Sequence, residues 1–395
     1  MKTQKIKDNI WKFYLYRIFS SLIFITPIYV LFLQENGLSM TQVMVLHTVY
    51  TIATMIFVIP SGLIADHIGR KKVLIISNSL FFIAWIAYGS SHNFWQFFAT
   101  EIVFGVSSAM WFAAGNAFFY DSLQQINQQH KFKKLYGNVI AINYLMWGLA
   151  SIVGSIIAVK GFRLVFYYTA IPVFISIIIA FSFTDTKKTK NVNYAVHLKE
   201  AVKFTSTHPK IRFLVIFSAI IFGVWLSGYM LYQPYLKSIS LPLAYFGIAY
   251  FFINLMSAIG SKNAHKIDDK LGETKVLFIV ATVFALCYIG MFFSLKMIGA
   301  IFPIIIAYFL GVFDVSIADY FHKNIQSYNR ATVASLSNFA GQLSSSIIAP
   351  FFGLLTDRYD IRTAFMLAFI IIIINIILLL ICTKKNGKDV NQTGV

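Results

Sequence analysis

Twelve apolar runs organise the 395 residues, at 10–34, 41–61, 73–91, 94–119, 135–159, 163–183, 211–235, 243–261, 275–294, 299–321, 332–355 and 363–383. Each is close to or above the ~20 residues that an α-helix needs to cross a hydrocarbon core. A segment in lipid must satisfy its own backbone N–H and C=O groups, and a helix does so within itself. The expected fold class is therefore an all-α integral membrane protein with twelve transmembrane helices. Composition agrees, since 12% of residues are charged, about half the fraction usual in soluble domains.

The net charge of +18 points to nucleic acid only until the basic residues are placed. With the N-terminus inside, 26 of the 33 Lys and Arg fall in the two terminal segments and the inner loops, and six fall outside. Arg17 alone stands deep within a span. This asymmetry is what the positive-inside rule demands, so the charge reports orientation and no nucleic-acid partner is expected. Both termini are expected on the cytoplasmic side of a plasma membrane. The two cysteines, Cys287 and Cys382, fall inside apolar runs and offer neither disulfide nor metal spacing. The first run is too long for a signal-peptide core and is read as a span.

One long polar stretch, about 184–210, separates six runs from six. The expected domains are a six-helix bundle over 1–183, a cytoplasmic linker over 184–210 and a second six-helix bundle over 211–395. Within the linker, 196–204 has the pattern of a short amphipathic helix. The halves look alike. "DHIGRKKVL" at 66–74 aligns with "DKLGETKVL" at 269–277, "FRLVF" at 162–166 with "IRTAF" at 361–365, and Gly105 with Gly311. Three matches in order and at nearly constant offset imply two pseudo-symmetric parallel repeats, a plan found in secondary transporters.

Gly62-x-x-x-Asp66-x-x-Gly69-Arg70-Lys71 resembles the loop between the second and third helices of the major facilitator superfamily. The twelve-span plan, the six-plus-six division and the eroded second copy extend the resemblance over nearly the whole chain. It implies an inward/outward rocking transporter in which the loop aspartate and arginine form a charge relay that helps hold one state. Asp66 stands four residues before Arg70, a spacing at which the two can form an ion pair, and Pro60 is expected to stop or kink the second span. The second copy has Glu273 and Thr274 where the first has Arg70 and Lys71, so the gate role is not carried over.

Charged side chains inside spans are costly and usually face a cavity or a partner. Three stand out as candidates for proton coupling: Arg17 in span 1, Glu101 in span 4 and Asp314 in span 10. Glu101 aligns with Gly105, Ser108, Phe112 and Gly115. The superfamily's drug:proton antiporters resemble one another in an arginine four residues before the span-4 glycine. Here "EIVFG" puts Glu101 there, with the charge inverted, so the arginine's role does not transfer. A desolvated carboxylate can itself take up and release a proton, with Arg17 as its counter-charge. The span-5 pattern of those antiporters is eroded too, with Ser155 after Gly154 where proline would stand. Asp121 reads as a cap or a contact to the basic 131–134 segment.

Candidate substrate contacts follow from polarity and helical spacing. Trp225, Tyr229, Tyr232 and Gln233 share a face of span 7, Tyr14 shares a face with Arg17, and Asn143 in span 5 corresponds to Asn338 and Gln342 in span 11. The leading expectation is a proton-coupled exporter of small amphiphilic organic compounds. The alternative is an importer or uniporter of an anionic metabolite gripped by Arg17, and a transporter-like receptor stands behind both. Neither a phosphate-binding G-x-x-x-x-G-K-[ST] nor H-E-x-x-H occurs, so no enzyme activity, cofactor or metal is expected. The expected partners are a small-molecule substrate, protons and the lipid bilayer, with the chain acting as a monomer.

Overall fold

The computed structural model describes residues 2–186, 202–294, 296–325 and 330–392. Most of the expected linker lies outside the described residues. Of the amphipathic helix expected over 196–204, only 202–204 are described, and they are helical.

All regular structure among the described residues is helical. The first half holds α1 (Lys2–Ser20), α2 (Tyr29–Glu35), α3 (Met40–Ile68), α4 (Arg70–Ser90), α5 (Phe94–Gln125), α6 (Phe132–Ala158) and α7 (Phe162–Phe181). The second holds α8 (Pro209–Ser238), α9 (Phe246–Leu271), α10 (Glu273–Phe293), α11 (Ile301–Asn324), α12 (Arg330–Arg358) and α13 (Ile361–Gln392). Among the described residues, eleven helices are long and apolar enough to cross a membrane. They meet the expected spans 2 to 12.

Span 1 differs from its expectation. Instead of one helix over 10–34, α1 ends at Ser20, residues 21–28 are non-helical, and α2 resumes at Tyr29. Pro27 lies in the gap; it has no N–H to give and disfavours helix at the residue before it. Unwound backbone at membrane depth is tolerated only where protein or a cavity serves its polar groups. Here the Phe24 N–H donates to Thr169 Oγ1 at 3.3 Å, and the Ser21 hydroxyl donates to Asn143 Oδ1 at 2.9 Å. Gly154 of α6 admits the loop: a Cβ there would sit 1.8 Å from the Phe24 carbonyl oxygen.

The basic turn also differs. Pro60 neither stops α3 nor ends it early, and the helix runs two further turns to Ile68. Gly62 and Asp66 therefore lie on a helix, and the break shrinks to Gly69, whose φ of +94° favours glycine. Gly272, between α9 and α10, repeats this with φ +76°. The aligned Gly105 and Gly311 repeat a second feature. A Cβ on Gly105 would meet Ala53 of α3, and one on Gly311 would meet the Ser257 carbonyl of α9.

The chain forms two compact units. The first comprises Met1–Leu38, Leu46–Ala195 and Pro242–Asn254; the second comprises Ser39–Val45, Val196–Leu241 and Leu255–Val395. In the first, α4 packs along α5 and α7, and α1 lies against α5, α6 and α7. An aromatic cluster fills it at the α1 end, with Phe13 stacked on Phe119 at 4.8 Å and Phe118 on Phe183 at 4.7 Å. In the second, α8 runs along α12, and α10 along α13. There Asp357 accepts the N–H groups of Met40 and Thr41 at 2.7 Å each, satisfying two orphan donors at the start of α3.

Gly154→Ala is expected to destabilise the purified protein by about 1–3 kcal/mol or more, because the new methyl meets backbone. Gly137→Ala, with nothing near its Cβ position, is expected to be neutral or stabilising by about 0.5–1 kcal/mol. Thermal unfolding in detergent compares the two, and equal midpoints would remove the close approach as a constraint.

Candidate functional site

The broken span leaves one polar centre at each end of its gap. At one end, Arg17 occupies the last turn of α1 and is only 8% exposed. Its Nε donates to Asn143 Oδ1 at 3.1 Å, and its guanidinium lies over the Trp111 ring at 4.4 Å. Gly115 abuts the same indole: a Cβ there would come within 3.0 Å of it. Tyr14, one turn earlier, donates its hydroxyl to the Leu135 carbonyl at 2.8 Å and sets its ring edge-on to Phe119. Among the described residues, no carboxylate pairs with Arg17.

At the other end, Tyr29 opens α2 and donates to Glu101 Oε1 at 2.6 Å. Tyr88 of α4 donates to the same oxygen at 2.8 Å and lies 2.9 Å from the Tyr29 hydroxyl. Glu101 is 4% exposed. Its surroundings are aromatic: Tyr88 stacks on Phe166 at 5.2 Å and packs against Phe97 and Phe104, while Phe32 closes on Phe166 at 4.4 Å. Two turns further along α5, Ser108 meets the Tyr50 hydroxyl at 3.0 Å. The nearby Arg163 is committed elsewhere, to the carbonyls of Gly89 and Ser91 and to Asn36. Glu101 thus has two neutral phenols and, among the described residues, no cation.

The structure does not bring Arg17 to Glu101; each has the partners just given. It joins Arg17 with Asn143 instead, through the hydrogen bond from Nε. Asp314, in the second unit, is exposed on α11 and makes no hydrogen bond or ion pair with a described residue. Tyr29, Tyr88 and Trp111 were not among the expected site residues. Pro27, two residues before Tyr29, was the available signal for the first. Tyr88 and Trp111 are single aromatics in aromatic-rich spans, which carry no such signal.

On α8, Phe222, Trp225, Tyr229 and Tyr232 form a ladder with successive ring centroids 5.3, 5.8 and 5.7 Å apart. Trp225 and Tyr229 are half-buried, whereas Tyr232 and Gln233 are buried. On α12, Asn338 is exposed and Gln342 half-buried.

The turn motif contains a different ion pair from the expected one. Arg70 pairs with Asp121 of α5 and also donates to the Ala117 carbonyl at 2.8 Å. Asp66 makes no hydrogen bond or ion pair with a described residue, and Lys71 is half-buried at the start of α4. Asp121 does not serve the basic 131–134 segment. Arg70, which opens α4 just beyond the Gly69 break, reaches it first.

Comparison with known proteins supplies the family. A model described as Major Facilitator Superfamily matches residues 15–350. An uncharacterized MFS-type transporter of Bacillus subtilis, YxaM, is 21% identical over 387 residues, covering 92% of this chain and 93% of its own. The quinolone resistance protein NorA of Staphylococcus aureus is 24% identical over 156 residues, covering 40% of this chain and 39% of its own. Among solved structures, the nucleoside transporter NupG superposes with a TM-score of 0.81 at 13% identity, over 97% of this chain and 99% of that one. A bacterial homologue of the lysosomal transporter Spinster gives 0.75 at 12% identity, over 98% of both chains.

Removing one partner of a buried ion pair strands the other and costs about 3–5 kcal/mol. Asp121→Ala is therefore expected to lower the thermal midpoint of the purified protein strongly, and Asp66→Ala to leave it nearly unchanged. Equal effects would restore Asp66 as the structural partner of Arg70.

Proposed function

The chain belongs to the major facilitator superfamily of membrane transporters, and on that premise we propose that it is a proton-coupled exporter of small amphiphilic organic compounds. The observation that carries this reading is Glu101, a buried carboxylate held by Tyr29 and Tyr88 with no cation among the described residues. An ion-paired carboxylate is committed to its charge, whereas one held only by phenols can gain and lose a proton as water reaches it. The two hydroxyls stabilise the anion by hydrogen bonds, and the aromatic walls favour the neutral acid. Asp314, mid-span and exposed on α11, is a second carrier. Two features support an amphiphilic substrate and outward direction: the scarcity of charged groups in the spans and the partial likeness to the quinolone resistance protein NorA.

In this reading the moving parts are residues 1–183 and 211–395, joined by 184–210, and they exchange access between the two sides of the plasma membrane. Both termini lie in the cytoplasm. Gly62, Asp66, Gly69, Arg70 and Lys71 form the gating segment. The Arg70–Asp121 pair joins α4 to α5, so the segment moves with α5 as one piece. Trp225, Tyr229, Tyr232 and Gln233 on α8, with Asn338 and Gln342 on α12, supply substrate contacts from the second half. A monomer suffices for this cycle.

Everted vesicles containing the protein, energised to be acid inside, are expected to accumulate a lipophilic dye and to release it when the gradient is collapsed. Glu101→Gln is expected to reduce gradient-driven uptake at least about tenfold, the effect of losing a positioned acid–base group being about 10²–10⁴-fold. Gradient-driven uptake at the wild-type rate would remove Glu101 as the carrier, and accumulation only in right-side-out vesicles would overturn the outward direction.

A further inference from the structure

Arg17 is held in place by groups that do not neutralise it. Its Nε is spent on Asn143 Oδ1, and that oxygen also receives the Ser21 hydroxyl from the unwound segment. The face of its guanidinium rests on Trp111. Among the described residues nothing accepts from Nη1 or Nη2. The amide nitrogen of Asn143 has no described acceptor either, because an arginine can only donate and so fixes which end of the amide faces it. Two donor groups, the Arg17 fork and the Asn143 amide, therefore share one neighbourhood in the first unit, and no described acceptor answers either of them.

A buried arginine without a counter-charge is strongly disfavoured unless something else completes it. The side of the guanidinium left open is its fork, the geometry that matches a carboxylate through two parallel N–H···O bonds. The walls are aromatic: Trp111 beneath the guanidinium, with Tyr14 and Tyr136 both packed against Phe119 close by.

We propose that the Arg17–Trp111–Asn143 centre binds the carboxylate of a transported acidic amphiphile, a monocarboxylate with a flat apolar body. This rests on the transporter reading of the chain but not on its direction or its proton coupling. Arg17 is then a substrate-binding residue, Asn143 positions it through Nε, and the Ser21–Asn143 bond ties the unwound segment to the same oxygen. Substrate charge and the shape of the broken span are thereby connected through one amide.

The test uses the full-length protein in nanodiscs and needs no gradient, so its outcome is independent of the vesicle experiment. Equilibrium binding is measured for benzoate, 2-naphthoate and octanoate, each against its primary amide. In neutral phosphatidylcholine, at least one carboxylate is expected to bind about ten- to hundredfold more tightly than its amide, as a charge-assisted pair predicts. Arg17→Gln is expected to bring that ratio within about twofold, with a retained cooperative thermal transition reporting that the variant is folded. If Arg17→Gln is not recovered folded, Arg17→Lys decides, since it keeps the charge but loses the fork and the bond to Asn143. The ratio is then expected to fall at least threefold.

Equal affinity for acid and amide, binding of neither, or a ratio unchanged in the decisive variant overturns the proposal. The comparison is repeated with phosphatidylglycerol in the nanodisc. Retention of the ratio supports a substrate site, and its loss there assigns Arg17 to a lipid headgroup and overturns the proposal as well.

Discussion

Hydrocarbon offers a polypeptide no hydrogen-bond partner, and each part of this structure answers that constraint. Eleven spans answer it by being continuous helices. The first does not, because Pro27 interrupts it, and neighbouring helices must then serve the exposed backbone. Thr169 takes the Phe24 N–H and Gly154 yields space for the Phe24 carbonyl. The break is thus paid for by residues on two other helices, α6 and α7.

The interruption has a consequence for chemistry. A continuous helix over the same residues would carry Arg17 and Tyr29 at fixed angle and rise. Unwinding residues 21–28 frees the two ends to be placed separately, so Arg17 settles over Trp111 while Tyr29 reaches Glu101. The two charges that sequence alone invited one to pair are instead kept in separate environments. One is surrounded by donors and aromatics, the other by phenols. Neither is neutralised by a described residue.

The basic turn after the second span shows how residues with the spacing of one ion pair can be wired into another. Asp66 and Arg70 have the spacing of an ion pair along a helix, yet Gly69 breaks the helix between them with a positive φ. Arg70 consequently begins a new helix and turns to Asp121, which is buried on α5. The second copy keeps the glycine break at Gly272 but has Glu273 and Thr274 in place of Arg70 and Lys71, and its Glu273 pairs with Lys210 instead.

Sequence by itself determined the solvent, the number of spans, the family resemblance and the positions of the costly charges. These follow from composition and from run length, which act locally and do not depend on what packs against what. Tertiary structure alone decided which groups meet: Arg17 with Asn143 and Trp111, Glu101 with Tyr29 and Tyr88, Arg70 with Asp121. Each such contact joins residues on different helices, and the angle and depth at which helices pack are set by close approaches such as Gly154 on Phe24 rather than by any one segment's own pattern. The hydroxyls of Tyr29 and Tyr88 could not be told from the chain's other tyrosines until packing brought them to one carboxylate oxygen.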